Sequence, residues 1–297
     1  MAMGPFQTNH NVVAGEVVWL ADDVRTVAAP NAGPMTFTGT QTYILGQGTV
    51  ALIDPGPADA RHLRAIRDGV KGDVIEAVLV THSHADHSPL AAAFDAPVYG
   101  FGSHDAARAE IMGGLGDVGG GEGIDPAFSP DLLVADGETI SGNGWQVEAI
   151  HTPGHLSNHL CFASGGRVFS GDHVMGWAST LISPPDGDLG AYMRSLEKMR
   201  ARPDRIYYPG HGGPVEAPHD LIDWLLDHRR TREGQIVGQL EGGAMTVAQI
   251  TAAIYHDVDP RLHGAAGRNV LAHLIDLFER KIVTADRFDA GGRYELV

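Results

Sequence analysis

Cysteine is nearly absent from this chain, because Cys161 is the only one among 297 residues. A single cysteine cannot form an internal disulfide framework, and it cannot build a cysteine-based zinc cage. Free cysteine behaves as a small apolar residue, so we expect Cys161, in the stretch NHLCFAS, to be buried. The sequence therefore excludes disulfide-rich scaffolds and cysteine-ligated zinc fingers.

Long apolar runs and an excess of basic residues are also missing. No stretch approaches the roughly 20 apolar residues that a membrane-spanning helix needs, and MAMGPFQTNHNVVAGEVV contains no basic region followed by an apolar one. Lysine and arginine number 21 against 37 aspartates and glutamates, so the long-range field repels polyanions. We therefore expect a cytoplasmic protein that does not act at a membrane, and nucleic-acid binding would need a local basic patch.

Short β-rich runs alternate with glycine, proline and aspartate turns over the first two thirds of the chain. Between them, helical patterns occupy ADARHLRAIRDGV and DLGAYMRSLEKMRA, and the second places five apolar side chains on one face. Strands mixed with covering helices predict a layered α/β domain over residues 1–215.

The pattern changes after Gly213. Three helical patterns, HDLIDWLLDHRRTREGQIVGQL, MTVAQITAAIY and GRNVLAHLIDLFER, precede KIVTADRFDAGGRYELV, which is typical of a β-hairpin with a Gly-Gly turn. Helices followed by a hairpin predict a small winged-helix domain over residues 216–297. We expect its third helix to pack against the first domain or against a second copy of the chain, so a homodimer is one expected assembly.

Three histidines and an aspartate lie within six residues of the stretch LVTHSHADHSPL, which follows the β-rich run IEAVLVT. These residues are His82, His84, Asp86 and His87. Loops at strand ends carry functional side chains on a rigid support, and imidazole with carboxylate suits zinc or a similar divalent metal. A chance cluster of surface histidines is the alternative, because the chain contains 16 histidines.

Three further motifs argue against chance, since each stands where a predicted strand ends. HTPGHLSNH contains His155, FSGDHV contains Asp172 and YYPGHGG contains His211. In order and spacing, the motifs resemble those of the metallo-β-lactamase superfamily. The resemblance implies a four-layered αββα sandwich with the metals at one edge.

Position by position, the resemblance implies two sets of ligands for two divalent metal ions, joined by a bridging carboxylate. The matching residues are His82, His84 and His155 for the first metal, Asp86, His87 and His211 for the second, and Asp172 for the bridge. Zinc is the expected metal, with iron and manganese as alternatives. His151, His159 and His173 match no ligand position. We expect structural or supporting roles for the first two and a place away from Asp172 or along the rim for His173.

The ligand set also implies a reaction. Two divalent ions, two carboxylates and a hydroxide give a centre of about +1 charge, in which coordinated water loses its proton near neutral pH. We expect a metal-bridging hydroxide to attack a carbonyl or phosphoryl centre. Asp86 and Asp172 are the expected catalytic residues, with Asp86 also orienting the hydroxide.

The substrate is less constrained than the reaction. True β-lactamases of the superfamily usually have a cysteine at the position of Asp172 and are secreted, so antibiotic hydrolysis is not expected. The tail resembles the winged-helix extension of the beta-lactamase-like protein 2 family, which includes a single-strand-specific endoribonuclease. Thioesterases of polyketide pathways share this layout.

The charge of residues 216–297 favours one of these substrate classes over the other. Residues 216–297 contain nine basic residues against thirteen acidic ones, whereas a winged helix that binds phosphates should be basic. The run HRRTRE is expected to be a solvated helix face. A small acyl thioester or ester is therefore the expected substrate, with RNA as the alternative, and a non-catalytic winged-helix regulator as the alternative of another class. Candidate pocket walls are the glycine-rich stretch 113–123 and the segment MGWASTLISPPDGD, in which Trp177 could pack against an apolar substrate chain.

Overall fold

A computed structural model of the chain describes residues 4–115, 118, 123–256, 263–289 and 291–297. Two sheets lie face to face in its larger part. The strands of the first sheet follow in chain order: β1 (Val17–Ala21), β2 (Val24–Ala28), β3 (Gln41–Gln47), β4 (Thr49–Ile53), β5 (Val74–Leu79), β6 (Val98–Gly100) and β7 (Leu132–Leu133). Neighbours from β1 to β4 are antiparallel, whereas β4 to β7 are parallel.

The second sheet has the order β12-β11-β10-β9-β8. Its strands are β8 (Thr139–Gly142), β9 (Trp145–His151), β10 (Leu160–Ser164), β11 (Arg167–Gly171) and β12 (Ile206–Pro209). The last two are parallel and are connected through α3 (Leu189–Arg200). The short strands β2, β7, β8 and β10 were not among the β-rich runs that the sequence predicted.

Helices cover the outer faces of both sheets. Helix α1 (Ala60–Gly69) begins at Asp59, whose side chain accepts a hydrogen bond from the Arg61 N–H, and it buries Ile66 against the first sheet. Helix α3 packs Tyr192 and its apolar neighbours against the second sheet. Between the sheets lies a core that includes Phe162 and Phe169, and burial of one such ring contributes about 1.5–3 kcal/mol. The order of layers is αββα, which confirms the predicted fold class.

The C-terminal part contains three helices and a small three-stranded sheet of order β13-β15-β14. Its elements are α4 (Pro218–Leu240), β13 (Met245–Thr246), α5 (Val247–Ile254), α6 (His263–Glu279), β14 (Val283–Ala285) and β15 (Arg293–Leu296). Thr246 and Gln249 form a capping box at the start of α5. β14 and β15 pair antiparallel, so the predicted winged helix with its hairpin is confirmed. The short helix α2 (Glu110–Gly113) follows β6 and buries Met112 in the C-terminal core.

Helix α4 joins the two parts, because its first half packs on α3 and the second sheet and its second half enters the C-terminal core. Leu221 and Leu225 belong to the former cluster, and Ile236 and Leu240 to the latter. The division at residue 216 stays a prediction. None of the described helices is both long and apolar enough to cross a membrane.

The run HRRTRE is not the solvated face that its composition indicates. Arg229 and Arg232 are only 4% and 6% exposed, whereas Arg230 is exposed and pairs with Glu197 at 2.7 Å. The expectation was wrong because other parts of the chain pack over α4 at Arg229 and Arg232. Cys161 is fully buried, as predicted. In the glycine-rich stretch, residues 116, 117 and 119–122 lie outside the described residues.

Candidate metal centre

Three imidazole nitrogens converge at the edge where β5 and β9 end. His82 and His84 follow β5, and His155 follows β9. The Nδ1 atom of His84 lies 2.9 Å from Nε2 of His82 and 3.0 Å from Nε2 of His155. Ligands at 2.0–2.1 Å around a tetrahedral zinc would be about 3.3 Å apart. The spacing is therefore close to that of three ligands of one metal.

A second group of ligand atoms lies next to the first. The Oδ2 atom of Asp86 is 3.2 Å from Nε2 of His211 and 3.5 Å from Nε2 of His87. Asp86 and His87 come from the loop after β5, and His211 from the loop after β12, so two sheets supply this group.

Asp172 lies between the two groups, directly after β11. Its Oδ2 atom is 3.4 Å from Nε2 of His211 and 3.7 Å from Nε2 of His155, and its Oδ1 atom is 3.5 Å from Nε2 of His87. One carboxylate therefore faces ligands of both groups. The structure brings together all seven residues that the sequence selected.

The donor set fits divalent metal ions. Among the described residues, Nε2 of His87 and Oδ1 of Asp172 are buried and have no hydrogen-bond partner. An unsatisfied buried polar atom costs about 1–3 kcal/mol, and a metal ion would satisfy both atoms. Clusters of His82, His84, His155 and Asp172, and of Asp86, His87 and His211, have ligand atoms within 4.8 Å of one another.

Asp54 supports the centre from behind, and the sequence analysis missed it. Its Oδ2 atom accepts hydrogen bonds from Nδ1 of His87 at 2.9 Å and from Oγ1 of Thr81 at 2.7 Å, and its Oδ1 atom accepts from the Thr81 N–H at 2.7 Å. Thr81 Oγ1 is also 2.9 Å from Nδ1 of His82. Such partners fix ring orientation and tautomer. The available signal was an acidic residue at the end of the β-rich run GTVALIDPG.

Backbone carbonyls and a hydroxyl hold the remaining ligands. Nδ1 of His155 lies 2.9 Å from the carbonyl oxygen of Leu181, and the Thr40 hydroxyl donates to Oδ2 of Asp86 at 3.1 Å. His159 accepts a 3.2 Å hydrogen bond from the backbone N–H of Asp172, which is a supporting role of the predicted kind.

Charge divides the histidines in the metal-free protein. Burial lowers the pKa of His84 to about 3. Burial opposes protonation of His87 and His211 too, but the carboxylates of Asp86 and Asp172 outweigh it and raise the pKa of His87 to about 9 and that of His211 to about 10. His87 and His211 are therefore both positively charged at neutral pH. A metal that binds them must displace one proton from each ring.

Two neighbouring side chains lie away from the centre. His173 is fully buried and packs edge-on against Tyr192, with ring centroids 5.1 Å apart, so it does not line the rim. Trp177 stacks on Phe37 at 5.1 Å and is not among the described residues that line the cavity over the metal ligands.

That cavity has a volume of about 520 Å³ and lies over the ligands. The larger domain supplies Met35 and Leu181 to its wall, and α6 supplies Gly264, Ala265 and Arg268. The winged-helix part therefore closes one side of the candidate active site.

Comparison with known proteins agrees with this geometry. Residues 35–211 match the metallo-beta-lactamase superfamily, which is more than half of the chain. The chain belongs to this superfamily. Residues 246–289 match the beta-lactamase associated winged helix domain. This superfamily member is 32% identical to a beta-lactamase-like protein 2 homolog from Drosophila melanogaster over 88% of the chain and 89% of the relative.

A second relative has a more specific name. It is an atrochrysone carboxyl ACP thioesterase from Aspergillus fumigatus, 32% identical over 81% of the chain and 76% of the relative. Among solved structures, a beta-lactamase domain protein from Burkholderia ambifaria superposes with a TM-score of 0.78 over 96% of this chain and 94% of that one, at 22% identity. That likeness supports the superfamily fold.

Proposed function

We propose that the chain is a dinuclear metal-dependent hydrolase that cleaves a small acyl thioester or ester. The observation that carries the proposal is the place of Asp172, whose two carboxylate oxygens face His155 and His211 on one side and His87 on the other. A carboxylate so placed suits a bridge between two ions held by the two ligand groups. Zinc is the proposed metal, with iron and manganese as alternatives for the same donors.

Bound divalent metals would lower the pKa of coordinated water to around 7 and polarise the carbonyl oxygen of the substrate. The protein's own groups prepare this chemistry. Burial raises the pKa of Asp172, but His211 and His87 outweigh it and hold that pKa well below its usual value, so the carboxylate stays ionised. Asp86, held by the Thr40 hydroxyl, keeps a carboxylate at the cavity to orient the attacking water.

We propose a thioester rather than RNA as the substrate because part of the cavity wall is apolar and the net charge of the chain is negative. Leu181, Gly264 and Ala265 offer an apolar wall beside the ligands, which suits an acyl group. The buried Arg229 and Arg232 cannot contact a phosphate backbone, and the net charge of −16 repels one. A relative named as a carboxyl ACP thioesterase supports the same choice. We further propose that the enzyme acts in the cytoplasm on a small molecule, with a homodimer as the proposed assembly.

The test is metal analysis combined with two substrates. Chelator-treated protein is reloaded with zinc, manganese or iron, its metal content is measured, and hydrolysis of acyl N-acetylcysteamine thioesters is followed beside cleavage of a labelled, unstructured RNA. We expect about two metals per chain, and thioester turnover that falls by at least a thousandfold in Asp172→Ala. Asp227→Ala, at an aspartate with an 80% exposed side chain, is the matched control and should keep full activity.

Other outcomes would replace the proposal. RNA cleavage that disappears in Asp172→Ala, without thioester turnover, would make the protein a ribonuclease. Folded protein that turns over neither substrate and binds a specific DNA would favour the regulator.

A further inference from the structure

We infer that the winged-helix domain carries the subsite for the apolar acyl chain of the substrate, in a groove between α5 and α6. The α5–α6 groove has a volume of about 410 Å³, with Val247, Ala248 and Thr251 of α5 on one wall and Gly264, Gly267 and Leu271 of α6 on the other. The identity of the occupant, an acyl chain, rests on the proposed thioesterase function. Its place rests on the shape and position of the groove.

The groove adjoins the metal cavity. Gly264 and Arg268, one helical turn apart on α6, line both the 410 Å³ groove and the 520 Å³ cavity over the metal ligands. From Gly264 to Leu271 the helix rises about 10 Å. A substrate whose carbonyl lies at the metals can therefore extend its chain past Gly264 and along α6.

The lining residues favour a hydrocarbon chain over a polar group. Val247 and Leu271 are buried apolar side chains, and Ala248, Gly264 and Gly267 are small. Thr251, His263 and Arg268 are the polar members of the lining, and Arg268 also lines the metal cavity. Small residues keep the space open, since a Cβ atom at Gly264 would meet no atom of the described residues within 4 Å. Glycine is among the least favourable residues in a helix interior, so Gly267, within α6, lowers helix stability at a position that lines the groove.

The two walls can be altered without strain. A Cβ atom at Gly267 would lie 3.7 Å from Oγ1 of Thr251 and from Cγ1 of Val247, which is ordinary contact. Ala248 is an exposed helical residue, so a leucine there keeps the helix and extends into the groove. Ala253, also exposed on α5, does not line the groove and lies about 140° around the helix from Ala248, which makes Ala253→Leu the matched control.

The first test is the dependence of hydrolysis on chain length. N-acetylcysteamine thioesters of acetate, butyrate, hexanoate and octanoate are compared on zinc-loaded protein. We expect kcat/KM to rise by up to about fourfold per added methylene, and Ala248→Leu and Gly267→Leu to lower the octanoyl-to-acetyl ratio by at least tenfold. Ala253→Leu should keep the ratio. The same ratio in all four proteins would overturn the inference.

The second test does not depend on turnover. Octanoate is titrated into zinc-loaded protein while methyl NMR signals of Val247, Ala248 and Leu271 are followed, with acetate as the short-chain comparison. We expect these signals to shift with octanoate alone, and octanoate binding to weaken at least tenfold in Gly267→Leu. If no thioester is hydrolysed but the signals shift, the proposed function fails and the apolar subsite stands. If thioesters are hydrolysed and the signals stay fixed, the subsite fails and the function stands.

Discussion

The guanidinium of Arg229 donates a hydrogen bond to the backbone carbonyl of Thr180, and this contact ties the helix that joins the two parts to the metal centre. The next residue, Leu181, offers its carbonyl to Nδ1 of His155 at 2.9 Å. The Thr180 hydroxyl donates to the carbonyl of Asp172 at 2.7 Å. One buried side chain of α4 therefore holds the segment that positions two proposed ligands.

Loss of Arg229 should weaken metal binding without removing a ligand. Arg229→Met keeps apolar volume but leaves the Thr180 carbonyl and, at 3.1 Å, Oδ1 of Asn269 without their donor. We expect zinc affinity to fall by up to about tenfold, the lower end of the effect of losing a direct partner of a ligand, because Arg229 acts through Thr180 and Leu181. Competition with a chromophoric chelator measures it. Arg230→Met, which removes an exposed arginine that pairs with Glu197, should leave the affinity unchanged, and an equal loss in both variants would contradict the prediction.

Asp54 is the direct hydrogen-bond partner of the proposed ligand His87, so its replacement should weaken metal binding. Asp54→Asn removes the negative charge that accepts hydrogen bonds from His87 and Thr81, so the His87 ring loses its fixed orientation. We expect metal affinity to fall about tenfold to a hundredfold with the fold retained. Metal titration followed by calorimetry is the measurement.

Asp73 offers the control for that experiment, because its carboxylate pairs with Arg25 at 2.7 Å and is not part of the metal site. Asp73→Asn should cost some stability and leave the metal affinity of the folded protein intact. Wild-type affinity in Asp54→Asn would mean that His87 needs no such partner.

These examples indicate what the sequence could and could not predict. His82, His84 and His87 could be selected because they share one short loop after a strand. Asp54 ends a β-rich run, but that signal alone could not assign its role, which arises only when β4 and β5 end side by side. Arg229 was misjudged for a similar reason, because nothing within α4 reveals that Thr180 and Asn269 lie against it. Local motifs selected the candidate ligands, and the superfamily resemblance carried by those motifs predicted the layers, whereas contacts between distant segments decided the supporting residues.

Cys161 should be inert to thiol reagents in the folded protein. Burial raises the pKa of its thiol to about 12, and the thiolate is the reactive form. At pH 8 we expect the native protein not to react with a disulfide reagent over hours. In guanidinium chloride, Cys161 should react at once and release one equivalent of the reagent's thiol per chain. Rapid labelling of the native protein would show that β10 opens readily to solvent.

The metal-free protein should lose stability as pH rises above neutral. The folded-state pKa values of about 9 for His87 and about 10 for His211 lie above the ordinary 6.5, so each ring contributes stability that is complete below 6.5 and disappears as pH passes 9 to 10. Between pH 7.5 and 8 the free energy of unfolding should fall by up to about 1.4 kcal/mol per pH unit for each ring. At pH 9 the slope from His87 should be about half as steep, because its ring is then half titrated. Burial lowers the pKa values of His82 and His84, so they stay neutral in this window.

Urea unfolding of chelator-treated protein at intervals from pH 6.5 to 10 measures this slope. His211→Gln should remove one ring's share, whereas His256→Gln, at an exposed histidine, should keep the wild-type slope. Zinc-loaded protein should lack the loss, because a metal holds both rings in the unprotonated form. A metal-free protein whose stability is constant or rises between pH 7.5 and 9 would mean that His87 and His211 are neutral there, and metal binding would then release no protons from them.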